Sequence, residues 1–519
     1  MAEKSEGQKK FETLSYEKKN YFEVAPKEEL EKMFAFAEGY KKYLDDGKTE
    51  REACDAAVAI AKEHGFTEYK FGDALNAGDK KYFVNRGKSV VVFRVGSKNL
   101  EEDGFRILAS HIDCPRVDIK QVPLYEDSGM CFLKTHYYGG IKKYQWTAIP
   151  LALHGAVILK DGKKIEIKVG EDENDPVFYI NDLLPHLAAE QMAQNAAKVI
   201  EGEQLNVLVG GLPYADEDVK EKVKLTVLSI LNEKYGMCEE DFLSAELSAV
   251  PAFKARDVGF DRALIGAYGH DDRVCSYPAL MSVVENESEH TVLAMLVDKE
   301  EIGSEGTTGL QCEVYEDLLE EISLAFHANF RKVKAASKCL SADVTAAYDP
   351  NFANAYEKKN AAMLSCGAGI CKFTGSRGKS GSNDASAEFL GEVRQMFEKE
   401  GVVWQTAELG KVDIGGGGTV AKYVANMNID TVDIGVPVIS MHAPYEVISK
   451  ADLYSNYRAF VAFMKYLFKT GGAPRLGRAA APFFWGKGNL EVLCKDDAFI
   501  GSEGDNAVRA RERIVVRHV

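Results

Sequence analysis

The sequence predicts an α/β protein: a main domain with a mixed, mostly parallel sheet covered by helices, interrupted by an inserted β-rich module. Three observations predict it. Strand-type and helix-type segments alternate over residues 1–121 and 254–470, the pattern of strands joined by crossover helices. Residues 122–253 change texture to short β-type runs separated by turn signals such as Asp161-Gly162. The length, 519 residues, is enough for two or three domains.

Residues 1–20 are polar and expected to be loosely held. Residues 26–64 read as two helices, with Leu30, Met33, Phe34, Ala37 and Tyr40 recurring near helical spacing and Gly65 as the stop. Residues 88–95 and 105–110 are apolar strand runs, and the second delivers His111. Inside the module, 132–169 read as strands, while 181–200 and 215–235 read as helices. A helix opens at His270-Asp271-Asp272-Arg273, and residues 291–297 form a buried strand. Residues 318–335 are expected to be helical, 432–441 a strand delivering His442, and Ser449 to Asp452 a capping-box-like start of a last helix that runs to about 468. No internal repeat is evident.

The formal net charge of −16 argues against a nucleic-acid or anionic-membrane partner. No apolar run of about 18 residues reads as a membrane span, and the polar first ten residues lack a signal core. Ten scattered cysteines form no CxxC pair. They fit reduced thiols rather than a disulfide framework, which predicts the cytoplasm.

The chemistry gathers at strand ends. His111 in SHID, Asp271 in HDDR, Glu300 and Glu301 in DKEEIGS, Asp343 in SADV and His442 in SMHAP are all metal-type ligands. Two imidazoles and several carboxylates without thiolate suit zinc, manganese or cobalt. A two-metal site needs a bridging carboxylate and terminal ligands on each ion. With Asp271 as the bridge, His111 and Asp343 serve one ion, and Glu301 and His442 the other. Glu300 is then spare. A spare carboxylate beside the attacking water is a natural general base, and on extended chain it would point away from Glu301. Asp113, two residues after His111, is placed to accept the other imidazole N–H. Each residue alone has a bland reading: His136, His154 and His290 read as satisfied polar residues, His270 as no ligand, Asp272-Arg273 as a local ion pair, and Cys114 and Cys275 as packing.

In this order, SHIDCP, HDDRVCSYPAL, DKEEIGS, SADV and SMHAPYEV resemble the metal-site motifs of the M18 metallo-aminopeptidases, which include aspartyl aminopeptidase and aminopeptidase I. The resemblance covers roughly residues 15–470, and the ligand roles above match the family's pattern residue by residue. It implies a catalytic domain (1–121 and 254–470) with two zinc ions, for which cobalt or manganese can substitute. It implies that 122–253 form a dimerisation domain, and that dimers build a tetrahedral twelve-subunit shell with enclosed sites. Leu184-Pro-His-Leu187 resembles a segment whose histidine reaches a neighbouring subunit's site, which implies such a role for His186. The implied reaction removes one N-terminal residue from a peptide, with the metals on the α-amine and the scissile carbonyl. Glu300 takes a proton from the attacking water and hands it to the leaving amine.

Two loops and the C-terminus complete the reading. Lys411-Val-Asp-Ile-Gly-Gly-Gly-Gly418 is followed by Thr419-Val420 rather than the lysine and hydroxyl of a phosphate loop, so it reads as a close backbone approach or a tight loop. The polar stretch 374–384 carries Arg377 and Lys379, which could select an acidic N-terminal side chain or simply be solvated. YGGIKKYQW at 138–146 is closer to the bacterial aminopeptidase I branch, which leaves the preference for acidic or neutral residues open. Residues 471–519 extend past the family's expected end, hold more Lys and Arg than Asp and Glu, and are expected to pack poorly. The alternatives are another co-catalytic metal hydrolase (a carboxypeptidase, deacylase or glutamyl endopeptidase) and an inactive shell-forming scaffold.

Overall fold

Residues 4–468 are described by the computed structural model; the expected poorly packed extension, 471–519, lies outside them. Among the described residues the central sheet has nine strands, in the order Thr67–Glu68, Lys80–Asn85, Ser89–Arg94, Thr291–Val297, Phe105–His111, Lys338–Ala342, Asp430–Gly435, Ala368–Cys371 and Trp404–Thr406. The four strands from Thr291–Val297 to Asp430–Gly435 are mutually parallel, and antiparallel pairings flank them. Phe105–His111, Thr291–Val297 and Lys338–Ala342 are buried at every position, as strands covered on both faces must be.

Two faces of alternating side chains feed two cores. Leu108, Val292, Ala294, Leu340 and Val432 pack toward helices Lys27–Asp46, Glu50–Glu63, His270–Glu285 and Lys450–Lys465. Ile107, Leu293, Met295 and Cys339 pack toward Val314–Ala325, Phe330–Ala336 and Ala421–Asn426. This period-2 division explains why mainly apolar runs without alternation form strands here: each face meets its own helix layer.

A second, antiparallel sheet has seven strands: Arg116–Asp127, Met130–Tyr138, Pro150–Ile158, Lys164–Val169, Phe178–Ile180, Val207–Gly210 and Ala245–Pro251. Its core includes Trp146, Leu151, Val157 and Phe242, with Leu228 and Leu231 of helix Lys222–Tyr235 against it. Its first strand crosses the expected boundary at 121/122. A five-stranded sheet, Arg256–Val258, Leu264–Ala267, Glu446–Ser449, Pro437–Ile439 and Thr345–Ala346, has no counterpart in the sequence reading.

Several expected elements differ. Residues 181–200 hold only the 3-10 turn Pro185–Leu187 and the short helix Ala189–Met192; nearly every side chain there is exposed, so no buried face supports a longer helix. The helix expected over 215–235 begins at Lys222. The one expected over 318–335 is two, Val314–Ala325 and Phe330–Ala336, because Asn329 caps the second through its side chain. The strand expected over 432–441 is split at Val436 between two sheets. The capping box at Ser449 does not form: the Ser449 side chain accepts from Ala451 N, while Asp452 accepts from Ser365 N and Gly367 N, each at 2.7 Å. The N-terminal stretch is not all irregular, since Glu6–Leu14 is a helix closed by a Ser5/Gln8 capping box, with no buried residue.

Candidate metal centre

Strand register builds the site. Val297 lies opposite His111, and Ser341 opposite Ala109. His111, Asp343 and the turn after Val297 therefore leave the sheet at one level, the carboxyl edge where α/β sheets bind ligands. Asp271 arrives from the start of helix His270–Glu285. There Asp271 (φ −80°, ψ 107°) and Asp272 (φ −117°, ψ 32°) are not yet helical, and a cis peptide bond joins them. His442 comes from the loop after Pro437–Ile439, at φ 65°. Glu300 and Glu301 are not on extended chain as expected. They sit on the 3-10 turn Glu300–Ile302, bracketed by Lys299 (φ 69°) and Gly303 (φ 99°), both left-handed.

Asp271 stands between the two imidazoles. Its Oδ1 is 3.2 Å from His111 Nε2, and its Oδ2 is 3.1 Å from His442 Nε2. Asp343 Oδ1 and Glu300 Oε2 are 3.8 and 3.9 Å from His111 Nε2, and Glu301 Oε1 is 3.6 Å from His442 Nε2. The structure thus brings together all five expected ligands and Glu300. Asp113 joins them: its Oδ1 is 3.2 Å from His111 Nδ1, which also lies 2.9 Å from the Asp113 carbonyl oxygen. The same carboxylate accepts the backbone N–H groups of Glu300 and Glu301, each at 3.2 Å, and the Tyr138 hydroxyl at 2.9 Å.

Electrostatics divide the acids. Burial, with Asp343 adding, pushes Glu300 up to about 8. Burial and Asp271 push Glu301 well above its ordinary value. Burial, ahead of the charges around them, also raises Asp343 and Asp272. Asp271 goes the other way: burial opposes its charge, but the imidazoles of His111 and His442 beside it outweigh that and hold the carboxyl below the usual range. Burial disfavours the charged imidazole of His442, yet Asp271 and Glu301 bring it up to about 11.

The residues fit a metal centre on two counts. Buried His111 Nε2, Glu301 Oε1 and Asp272 Oδ1 have no hydrogen-bond partner among the described residues, and such atoms are costly unless something binds them. Crowded carboxylates facing two imidazoles form a nitrogen–oxygen donor set suited to zinc, manganese or cobalt, and a divalent cation would relieve their repulsion. Donor atoms of His111, Asp271 and Glu301 lie within 4.8 Å of one another, as do those of His111, Asp272 and Asp343.

Asp271, Glu300, Glu301, Asp343 and His442 line a cavity of about 480 Å³, also lined by Arg377, Lys379 and Gly415 to Gly418. Lys379 lies 3.2 Å from Asp384 and 4.1 Å from the centre of the Phe373 ring, whereas Arg377 has no such partner among the described residues. Two of the four glycines permit a close approach of loops: a Cβ on Gly416 would lie 1.9 Å from Gly375 O, and one on Gly415 1.7 Å from Leu409 O. His186 is exposed on the turn Pro185–Leu187 and does not line this cavity.

Sequence reasoning missed four contributors. Asp272 was expected to pair with Arg273, but Arg273 donates to Lys48 O and Ile112 O, and no ion pair joins the two. Instead Asp272 Oδ2 accepts the His111 backbone N–H at 3.4 Å. Glu446 accepts from the backbone of both Asp271 and His442, at 3.2 and 2.8 Å; its signal was a carboxylate four residues after His442 in the same motif. Tyr138 and Gly140, from the second sheet, carried no local signal. His270 is no ligand here, since Tyr40 Oη and Ile265 O occupy its two nitrogens at 2.7 and 3.1 Å.

Gly435 holds Asp343 in place by its lack of a side chain. A Cβ there would lie 1.6 Å from Asp343 O. Gly435→Ala is expected to cost about 3 kcal/mol or more of stability, the upper range of overpacking. Denaturant melts would read it, and an unchanged midpoint would refute the close approach.

The sequence profile of the family described as "Aminopeptidase I zinc metalloprotease (M18)" matches residues 43–464. A probable M18 family aminopeptidase 1 of Clostridium acetobutylicum is 48% identical over 460 residues, 87% of this chain and 99% of that protein. A crystal structure of an M18 aminopeptidase from Thermotoga maritima superposes with a TM-score of 0.84 at 42% identity, covering 87% of this chain and all of that one. That of aminopeptidase I from Clostridium acetobutylicum gives 0.81 at 46% identity, with the same coverage.

Proposed function

This chain belongs to the M18 family of zinc aminopeptidases, and from that premise we propose that it removes single N-terminal residues from peptides at a centre of two zinc ions. The observation that carries the reading is the Asp271 carboxylate, which offers one oxygen to each imidazole. Asp271 would be shared by the two ions, His111 and Asp343 would hold one of them, and Glu301 and His442 the other. Cobalt or manganese can substitute. When bound, zinc polarises the scissile carbonyl and makes water acidic near neutral pH. The chain's own residues do the rest. Glu300, lining the cavity, takes the proton from the attacking water and delivers it to the leaving amine. Asp113 holds the ring of His111 and the backbone of Glu300 and Glu301 in register.

Arg377, which lines the same cavity, contacts the substrate and favours an acidic first side chain, with Lys379 partly engaged by Asp384. Residues 122–253 form an inserted dimerisation domain within a catalytic domain of 1–121 and 254–470. Leu183, Leu184, Leu187 and Met192 are 52, 51, 69 and 72% exposed there, apolar area that self-association would cover. Dimers assemble into a tetrahedral dodecamer, where His186 reaches a neighbouring subunit's site. The nine cysteines among the described residues are free, which supports a reducing compartment, the cytoplasm. Among those residues no helix is long and apolar enough to cross a membrane.

The test is hydrolysis of free and N-acetylated dipeptides with Asp, Glu, Leu, Ala or Lys first. The protein is stripped by chelator and then restored with zinc, cobalt or manganese. Activity should vanish on chelation, return with metal and require the free amine. A preference for Asp or Glu that Arg377→Gln abolishes would support the loop's role. Cleavage of blocked substrates would move the protein to another class of metal hydrolase, and silence under every metal would leave the scaffold reading.

A further inference from the structure

The second sheet sends one short strap over the candidate metal centre, and it touches the centre at three points. Strand Met130–Tyr138 ends in Tyr138-Gly139-Gly140. The Tyr138 hydroxyl donates to Asp113 Oδ2 at 2.9 Å, on the carboxylate that faces His111 Nδ1 at 3.2 Å. Gly140 O lies 2.7 Å from His442 Nδ1, so it accepts that N–H and leaves Nε2 aimed at Asp271, 3.1 Å away. Gly139, between them at φ 72°, is so close to the centre that a Cβ would lie 3.1 Å from Glu301 Oε2. The strap is itself anchored: the Arg116 guanidinium lies 4.0 Å from the centre of the Tyr138 ring and pairs with Glu50 at 3.1 Å and Asp118 at 2.8 Å.

We propose that Tyr138 to Gly140 are positioning residues that set the orientation of both imidazoles at once, His111 through Asp113 and His442 through the Gly140 carbonyl. An imidazole binds metal through one nitrogen while the group on the other sets its tautomer and ring plane. Here both of those outer groups are held by one three-residue segment that belongs to a different sheet from the ligands. Metal affinity at the centre therefore depends on the placement of the seven-stranded sheet. This rests on the two-metal reading above.

The test compares wild type, Tyr138→Phe and Gly139→Ala as full chains, stripped of metal and titrated with zinc against a chromophoric chelator. The gain in melting temperature on zinc loading is measured in parallel. Tyr138→Phe removes only the hydroxyl and is expected to weaken zinc binding about tenfold, the low end for loss of an outer partner; Gly139→Ala is expected to weaken it more. Both should shrink the zinc-induced gain in melting temperature, a readout that a merely structural role would leave at the wild-type size. Wild-type zinc affinity and wild-type gain in Tyr138→Phe would overturn the proposal. Failure of the wild type itself to bind zinc would overturn the metal-centre reading and this proposal with it, a result told apart by the wild-type titration alone.

Discussion

Glu300→Gln is expected to lower kcat for peptide hydrolysis by about 10²–10⁴-fold, the range that a positioned acid–base group contributes, while leaving zinc content and assembly unchanged. Glutamine keeps the shape of the side chain and cannot take a proton. In the two-metal reading Glu300 is the carboxylate left over once Asp271, Asp343 and Glu301 are assigned as ligands, so metal retention is not expected to depend on it. The substitution should not weaken the metal-free fold. Burial and Asp343 push the Glu300 carboxyl up to about 8. A carboxyl raised in the folded state opposes folding once pH exceeds its unfolded value, roughly 4.3, and a neutral amide removes that opposition. Steady-state kinetics with zinc analysis decide the matter: normal turnover by the variant would show that another group is the base.

Asp271→Ala is expected to empty the centre, with activity falling at least as far as in Glu300→Gln. No other carboxylate faces both imidazoles within 3.2 Å among the described residues. Removing it leaves Asp343 and Glu301 at 3.8 and 3.6 Å from their histidines, and two ions would sit side by side with no shared anion between them. Metal analysis after dialysis against buffered zinc is the measurement. Retention of one ion per subunit would mean that Asp271 serves a single ion and that the bridge lies elsewhere.

Local chemistry made much of this readable. Phe105–His111 carries the apolar run Ile107 to Ala109 up to His111, and Thr291–Val297 is apolar but for Thr291 and is followed by Asp298 to Glu301, so both strands and the ligands at their ends were visible without the fold. Several strands of the second sheet, such as Pro150–Ile158 and Lys164–Val169, showed as short β-type runs with turn residues between them. Where the reading failed, the missing term was tertiary. Residues 181–200 have helix-compatible composition but nothing to bury against. Residues 432–441 look like one strand, yet Val436 marks a change of sheet. Asp452 looks like half of a capping box, yet it is drawn away by two backbone N–H groups near residue 366.

By itself the sequence determined which chemistry is present: two imidazoles and a set of carboxylates, each at the end of an apolar run that must be buried, in an order that resembles one peptidase family. Burial and residue type are local properties, and they survive reading one residue at a time. Only the tertiary structure decided which atoms face each other. That depended on strand register, on the left-handed turns around Glu300 and Glu301, and on the departure from helical geometry at Asp271 and Asp272. Asp272, Glu446 and Tyr138 entered the centre by the same route, as did the contact between Gly140 and His442, 302 residues apart. The Tyr138 and Gly140 contacts carry no signal in either segment, because their geometry exists only after the second sheet has packed over the centre.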